Sequence, residues 1–333
     1  MDYKKMLERV AEMSPSTLSK TLIIDGTNTF IRVFCNVPTL NENGDHVGAV
    51  IGFLKSIGAL IRKENPSKCV LVFDGKGGSQ RRRKIYSEYK GNRTPKKMNR
   101  FDEFSDLIDE EKSRSIQYSR LMEYLKTLPI STVIVDNIEA DDSIAYIVKN
   151  LVKTDQILIS STDRDFLQLV NDSVKVFNPV KKVYYNEDKI KEEFGLLSEN
   201  YVLYRALTGD SSDNIKGVKG VGLKTLLKLI PEFLTENLDI EKIYNKLEGN
   251  KSRTAKSILE SKEQIELNLQ LMQLDLFNIS LYSKQEIEAQ FNSKNSIDRK
   301  EFLKLFFEDQ LNYLLKDPYT WLHNTFNKLN IHE

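Results

Sequence analysis

Four apolar runs rich in β-branched residues each lead into acidic side chains: 21–25 (TLIID), 69–74 (CVLVFD), 132–142 (TVIVDNIEADD) and 156–165 (QILISSTDRD). They lack polar alternation, which marks strands buried on both faces, as in a parallel sheet. Functional groups of such a sheet gather just beyond the carboxyl ends of its strands, so these acids crowd one edge. A fifth acidic segment, 207–214 (LTGDSSDN), carries Asp210 and Asp213. Crowded carboxylates resist ionising unless cations lie among them. A set of oxygen ligands suits Mg²⁺ or Mn²⁺ rather than zinc, and so points to phosphate chemistry.

Taken singly, each acid has an ordinary explanation. Asp163, Glu139 and Asp141 stand where a helix N-terminus favours an acid, and Asp25 and Asp74 precede glycines as turn residues do. Their joint occurrence is the signal. Two of the strand ends repeat an acid two residues later, Glu139/Asp141 and Asp163/Asp165, a spacing that turns two oxygens toward one point where a strand becomes a helix. His46, His323 and His332 are scattered, and no Ser–His or Cys–His arrangement is apparent. Cys35 and Cys69 suggest neither a disulfide framework nor a zinc site, so a reduced, intracellular setting is expected. No signal peptide and no membrane-length apolar run is apparent.

The order of elements predicts an α/β sheet followed by a helical region. Residues 1–20 read as an arm. Strands are expected at 21–25, 69–74, 132–136 and 156–160, with a closing hairpin at 174–177 and 182–185. Helices are expected at 47–63, 115–128, 140–152 and 164–169, then at 187–194, 198–208, 223–230, 240–247 and 263–274. From 276 to 333 the pattern is helical with no chemical signature.

Net charge is only +1, but it is unevenly placed: residues 76–100 hold ten Lys/Arg and one acid, Glu88. Arg81, Arg82, Arg83, Lys84, Lys90, Arg93, Lys96 and Lys97 are interleaved with Tyr86 and Tyr89. With 101–112 the stretch forms a long insertion, too poor in apolar residues for a core, and such excursions are more often functional than idle. A charge run is usually a solvated loop. This one leaves directly from Asp74, where cations would attract a polyanion and tyrosines could stack on unpaired bases. Residues 215–225 (IKGVKGVGLKT) place Gly217, Gly220 and Gly222 between helices, with Lys219, Lys224 and Thr225. Such a loop presents backbone N–H groups to phosphate. It is neither a Rossmann fingerprint nor a P-loop, and its helix–loop–helix setting suits a sequence-independent grip on duplex backbone.

Seven segments in order, IDGTN (24–28), VFDG (72–75), EYKGNR (88–93), EADD (139–142), STDRD (161–165), GDSSDN (209–214) and GVKGVG (217–222), resemble the flap endonuclease/5′→3′ exonuclease family over roughly residues 20–275. That family includes the 5′ nuclease domain of bacterial DNA polymerase I and free-standing phage enzymes. The resemblance implies a PIN-like, mostly parallel sheet with flanking helices (21–186, basic arch about 76–112), a helix–hairpin–helix domain (187–275) that holds K⁺, and a C-terminal helical region (276–333). It assigns a first metal to Asp25, Asp74, Glu139, Asp141 and Asp142, and a second to Asp163, Asp165, Asp210 and Asp213. It makes Lys90 the arch lysine at the scissile phosphate, with Arg93, Tyr89 and Arg32 as substrate contacts. Two Mg²⁺ (or Mn²⁺) and a substrate of DNA or RNA·DNA with a free 5′ end or flap follow. So do a monomeric, cytoplasmic setting, phage-encoded or otherwise, and a replication role in which the C-terminal region could meet other replication proteins. Residues 300–307 (KEFLKLFF) resemble a sliding-clamp peptide, but the leading glutamine is missing and the apolar spacing suits a core helix. A non-catalytic DNA-junction binder and a PIN-type single-strand ribonuclease remain as alternatives.

Overall fold

The computed structural model describes residues 19–93, 107–274 and 279–330. Among them, one sheet has the strand order β3-β2-β1-β4-β5-β6. Its strands are β1 Lys20–Asp25, β2 Lys68–Asp74, β3 Ser131–Val135, β4 Gln156–Ser160, β5 Val174–Asn178 and β6 Val183–Tyr185. The first five run parallel, and β6 closes the edge antiparallel to β5. The apolar runs of β1, β2 and β4 thus lie inside the sheet, as their lack of polar alternation requires, and β3 forms one edge. Strand order reverses at β1, with β2 and β3 on one side and β4 and β5 on the other. This is a topological switch point, where the loops leaving neighbouring strands part and open a crevice. Asp25 ends β1 at that point, and Asp74 ends β2 beside it.

Alternate side chains of each strand feed two apolar layers. Leu22, Ile24, Leu71 and Phe73 pack under the helices Gly26–Asn36, Gly48–Glu64 and Leu107–Lys126. Ile23, Val70, Val72, Val133 and Ile159 pack under the helix Ala140–Tyr146. This second cluster runs on without a break into the helical region, taking in Leu207, Val218, Leu226, Ile243 and Ile258 from the helices Tyr201–Thr208, Leu223–Leu229, Ile240–Leu247 and Arg253–Glu260 and the loop before Leu223. Sheet and helical region therefore share one core.

The C-terminal segment returns to the sheet. Helix Leu281–Phe291 packs against β3, and the helices Arg299–Glu308 and Pro318–Phe326 complete the first apolar layer. Phe302, Leu303, Leu305 and Phe306 are buried there, with Phe302 stacked 5.9 Å from Trp321. Residues 300–307 are thus core packing, as their apolar spacing predicts. A clamp peptide would need these side chains exposed.

Several elements were not legible beforehand. Helix Gly26–Asn36 opens with Gly, Thr and Asn, all weak helix formers, but Asp25 caps it by accepting from Asn28 N at 3.0 Å. Helix Arg253–Glu260 was not anticipated either. The expected helix over 140–152 is α-helical only to Tyr146 and passes into a π-helical turn at Ile147–Leu151. The basic stretch is not wholly excluded from packing: Gln80–Ile85 is helical, and Arg82 and Tyr89 are each 2% exposed. The expected arm, except its last two residues, and the part of the arch holding Lys96 and Lys97 lie outside the described residues. No described helix is long and apolar enough to cross a membrane.

Candidate metal centre and nucleic-acid interface

Strand ends place the acids. Asp25 Oδ2 accepts from Ser161 Oγ at 2.9 Å across the switch point, while Asn28 Nδ2 reaches Thr162 Oγ1 at 2.7 Å. The loops leaving β1 and β4 are thereby pinned together. Asp74 Oδ1 accepts from Ala140 N at 2.7 Å, and its own N–H donates to Thr27 Oγ1 at 2.8 Å. A β-carbon on Gly75 would lie 1.7 Å from Val135 O, so only glycine lets the chain leave β2 so close to β3. Asp163 Oδ1 accepts from Asp165 N at 2.9 Å, which turns both carboxyls toward the same edge.

Among the described residues, two groups of acids bring oxygens within 4.8 Å of one another: Glu139 with Asp141 and Asp142, and Asp165 with Asp210 and Asp213. The first arises from one turn between β3 and the following helix. The second joins the loop after β4 to a two-strand hairpin, β7 Gly209–Asp210 and β8 Ile215–Lys216. The hairpin is tight because Gly209 is left-handed (φ 78°) and a β-carbon on Gly217 would lie 2.1 Å from Thr208 O. Asp163 feels the charge of Asp141 in one group and of Asp213 in the other, so it lies near both. All the donors are hard oxygens, the chemistry Mg²⁺ or Mn²⁺ takes.

Electrostatics carry the signature of a cation site. Burial raises Asp25 to about 7, helped by the charges of Asp74 and Asp163 and opposed by the Asn28 N–H and Ser161. Lost hydration, then the charges of Asp141 and Glu139, raise Asp74. Asp163 is raised by burial and by Asp141 and Asp213. Asp165 is raised well above its ordinary value by burial and by Asp163. Burial works against Asp141 and Asp210 too, but Arg82 and Lys90 outweigh it at the first, and Arg205 and Ser212 at the second, so both are held low. A divalent cation would return the raised carboxyls to the ionised state.

The protein's own cations interleave with these acids. Lys90 is left-handed (φ 55°), its N–H donates to Asp213 O at 2.9 Å, and its ammonium pairs with Glu139. A strained backbone that points a cation into a carboxylate group is a common mark of function. Arg93 pairs with Asp213. Asn92 Nδ2 reaches Ser211 O, and Asn214 Nδ2 reaches Glu88 O, both at 3.0 Å, so the base of the arch is docked on the loop that carries the second group. Arg205 was not anticipated. It pairs with Asp210 and lies 3.3 Å from Asp165; its only sequence signal is a position in the helix that leads into the segment carrying Asp210.

Arg82 and Tyr89, expected to contact a strand, are both buried in this structure. Arg82 pairs with Glu139 and Asp142 and gives Nε to Leu271 O at 2.9 Å. An unpaired guanidinium buried to that depth would cost several kcal/mol, so the carboxylates claim it. Tyr89 packs with Ile215, Leu271 and Met272 in a small apolar cluster at the same junction, with half-buried Tyr86 against it. Arg81 is half-buried and 2.9 Å from Asp142. Arg83 and Lys84 are exposed, and Arg32 lies half-buried on the helix that Asp25 caps. Lys219, Gly220, Gly222, Lys224 and Thr225 are exposed, while Val218 and Val221 anchor their loop in the core.

The profile of the 5′-3′ exonuclease N-terminal resolvase-like domain matches residues 20–195, and that of the 5′-3′ exonuclease C-terminal SAM fold matches residues 196–290. A 5′-3′ exonuclease of Buchnera aphidicola (subsp. Acyrthosiphon pisum) is 34% identical over 288 residues, covering 83% of this chain and 93% of its own. The 5′-3′ exonuclease of Aquifex aeolicus is 33% identical, covering 77% and 82%. DNA polymerase I of Bacillus subtilis is 29% identical over 89% of this chain but only 32% of that longer protein. In fold, the chain is similar to the bacteriophage T5 flap endonuclease solved with DNA and metal ions, with a TM-score of 0.63, 24% identity, and coverage of 87% of this chain and 99% of the other.

Proposed function

The chain belongs to the 5′-3′ exonuclease family, and from that premise we propose that it hydrolyses phosphodiesters near the 5′ end of flapped or nicked DNA, and of RNA paired to DNA, with two divalent metal ions. The observation that carries this reading is the pair of carboxylate groups at one sheet edge, with Asp163 near both and Lys90 paired with Glu139 of the first.

Asp25, Asp74, Glu139 and Asp141 face the first position, and Asp163, Asp165, Asp210 and Asp213 the second. Divalent ions such as Mg²⁺ or Mn²⁺ held there would supply an activated water and stabilisation of the leaving oxygen. The chain's own residues do the rest. Lys90 holds a cation over the edge, where it can orient the scissile phosphate and neutralise charge developing on it. Arg93, whose side chain is 51% exposed, can exchange Asp213 for an incoming phosphate. Exposed Arg83 and Lys84 draw the 5′ strand toward the arch. The glycine hairpin offers Lys219, Lys224, Thr225 and the backbone of Gly220 and Gly222 to duplex phosphates, and its carbonyls suit K⁺. Primer removal in replication and repair follows from that substrate class.

The test is a product map from 5′-labelled flap DNA, a nicked duplex, an RNA·DNA hybrid and single-stranded RNA, with Mg²⁺ and with EDTA. Short 5′ products from the flap, RNA·DNA and nick, with Mg²⁺ alone, are expected. Tight binding without product under any metal would mark a junction binder, and cleavage of single-stranded RNA alone would mark a ribonuclease of the PIN type.

A further inference from the structure

Asp142 shares a turn with Glu139 and Asp141, yet it faces another way. Successive residues of a helix diverge by about 100°, and here Asp141 keeps 19% of its side chain exposed while Asp142 keeps 2%. Arg82 meets Asp142 with both prongs of its fork, Nη2 to Oδ1 and Nη1 to Oδ2, each at 3.0 Å. Arg81 Nη2 adds a third contact to Oδ2 at 2.9 Å. Both oxygens of Asp142 are therefore engaged. Asp141 meets Arg82 only at 3.4 Å.

Arg82 is equally committed. Its side chain is 2% exposed, its Nε satisfies the carbonyl of Leu271 in the last turn of helix Lys262–Met272, and it also pairs with Glu139. Last-turn carbonyls lack helical partners and carry the negative end of the helix dipole, so a buried cation is well placed there. Tyr89, Leu271 and Met272 close apolar surface around the junction. Three segments meet at one guanidinium: the base of the arch, the acidic turn after β3, and the helical region.

We propose that Arg82 and Asp142 form a permanent buried ion pair, and that Asp142 is a positioning residue outside the metal's ligand set. The pair fixes Glu139 and Asp141 against helix Lys262–Met272, so the first metal position is held in register with the duplex-gripping region. This inference rests on the metal-centre reading above, and the two separate experimentally. Three of the roughly four lone-pair positions of Asp142 are taken up by arginine N–H groups and its side chain is sealed, which leaves little room for an ion. The contacts of Asp141, by contrast, fall on Oδ1 alone and its side chain is more open.

The test titrates Mn²⁺ into the full chain without substrate, followed by electron paramagnetic resonance, beside thermal unfolding in EDTA. Asp141→Asn should weaken Mn²⁺ binding at least tenfold and leave the melting midpoint unlowered. Asp142→Asn should lower the midpoint by several degrees. Replacing the pair together with apolar residues, Arg82→Met with Asp142→Leu, should recover most of that loss and keep Mn²⁺ affinity within threefold of the parent. Single-turnover flap cleavage at saturating Mn²⁺ should meanwhile fall at least tenfold, because the first position loses its register with the duplex-gripping region; a parent cleavage rate would make the pair merely structural. A folded double variant that loses Mn²⁺ affinity as severely as Asp141→Asn overturns the inference. If Asp141→Asn itself leaves Mn²⁺ binding intact, the metal-centre reading fails instead.

Discussion

Glu139, Asp141 and Asp142 come from one strand-to-helix turn and share one central counter-ion, Arg82, which is 2% exposed, with Lys90 and Arg81 pairing at the margin of the group. Asp165, Asp210 and Asp213 come from two distant segments and answer to Arg205, 12% exposed, and Arg93, 51% exposed. The first group is a product of local chain geometry with a counter-ion sealed in. The second exists only when the helical region is docked on the sheet, and its counter-ions can leave. Structure dependence in cleavage should therefore enter through the second group, since duplex held by the hairpin acts on the chain that carries Asp210 and Asp213.

The largest expected effect does not discriminate between the groups. Asp141→Asn and Asp165→Asn should each lower single-turnover cleavage of flap DNA by about 10³-fold or more, because each removes a ligand from one metal position. Full activity in either variant would remove that group from the chemistry. Lys90→Ala should cost about 10²-fold in cleavage rate, the scale for losing one transition-state charge partner. Flap affinity measured in Ca²⁺ should change far less, and a loss confined to affinity would make Lys90 a binding residue only.

Arg205 and Arg82 sharpen the contrast. Arg205→Met leaves Asp165 and Asp210 uncompensated, which should cost about 3 kcal/mol of stability in EDTA. Mg²⁺ should restore much of it, since an ion can take the place of the guanidinium. Arg82→Met should cost a similar amount that Mg²⁺ does not restore. Equal rescue of both variants would erase the distinction between a replaceable and a permanent counter-ion.

A smaller effect follows pH. Asp25 titrates at about 7 in the folded chain and near 4 when unfolded, so between those values the folded state binds the extra proton. The stability this provides is present at low pH and is lost as pH rises toward 7. Asp74, Asp163 and Asp165 are shifted in the same direction. The melting midpoint in EDTA should be lower at pH 8 than at pH 5.5 from this edge, and Mg²⁺ should raise it more at pH 8. Calorimetry at pH 6.5 in buffers of different ionisation heat should detect protons released on metal binding. An absence of released protons would contradict the raised carboxyls.

The parallel sheet was legible because β-branched runs without alternation admit few other homes, and its acidic edge because the strand-end rule needs no tertiary detail. Pairing of Glu139 with Asp141 could be read from their spacing. What burial does to a basic stretch could not. Arg82 and Arg83 are neighbours of one type, yet one is sealed among carboxylates and the other is exposed, because only the first falls on the helix face turned toward Asp142 and Leu271. Arg205 was missed because a lone arginine in an amphipathic helix carries no local mark. Its role depends on a hairpin folding back just past the helix end. Helix Gly26–Asn36 was missed because its weak helix formers are compensated by Asp25, the same residue that ends β1.

Two oxygen-only positions at one sheet edge should act together on a phosphodiester, and the single-turnover rate of 5′-flap cleavage as a function of Mg²⁺ concentration reports whether they do. At low Mg²⁺ the rate should rise with the square of concentration, become first order before saturating, and vanish in EDTA. Cleavage that persists without metal, or that rises only in first order while Asp165→Asn keeps the parent rate, would contradict it.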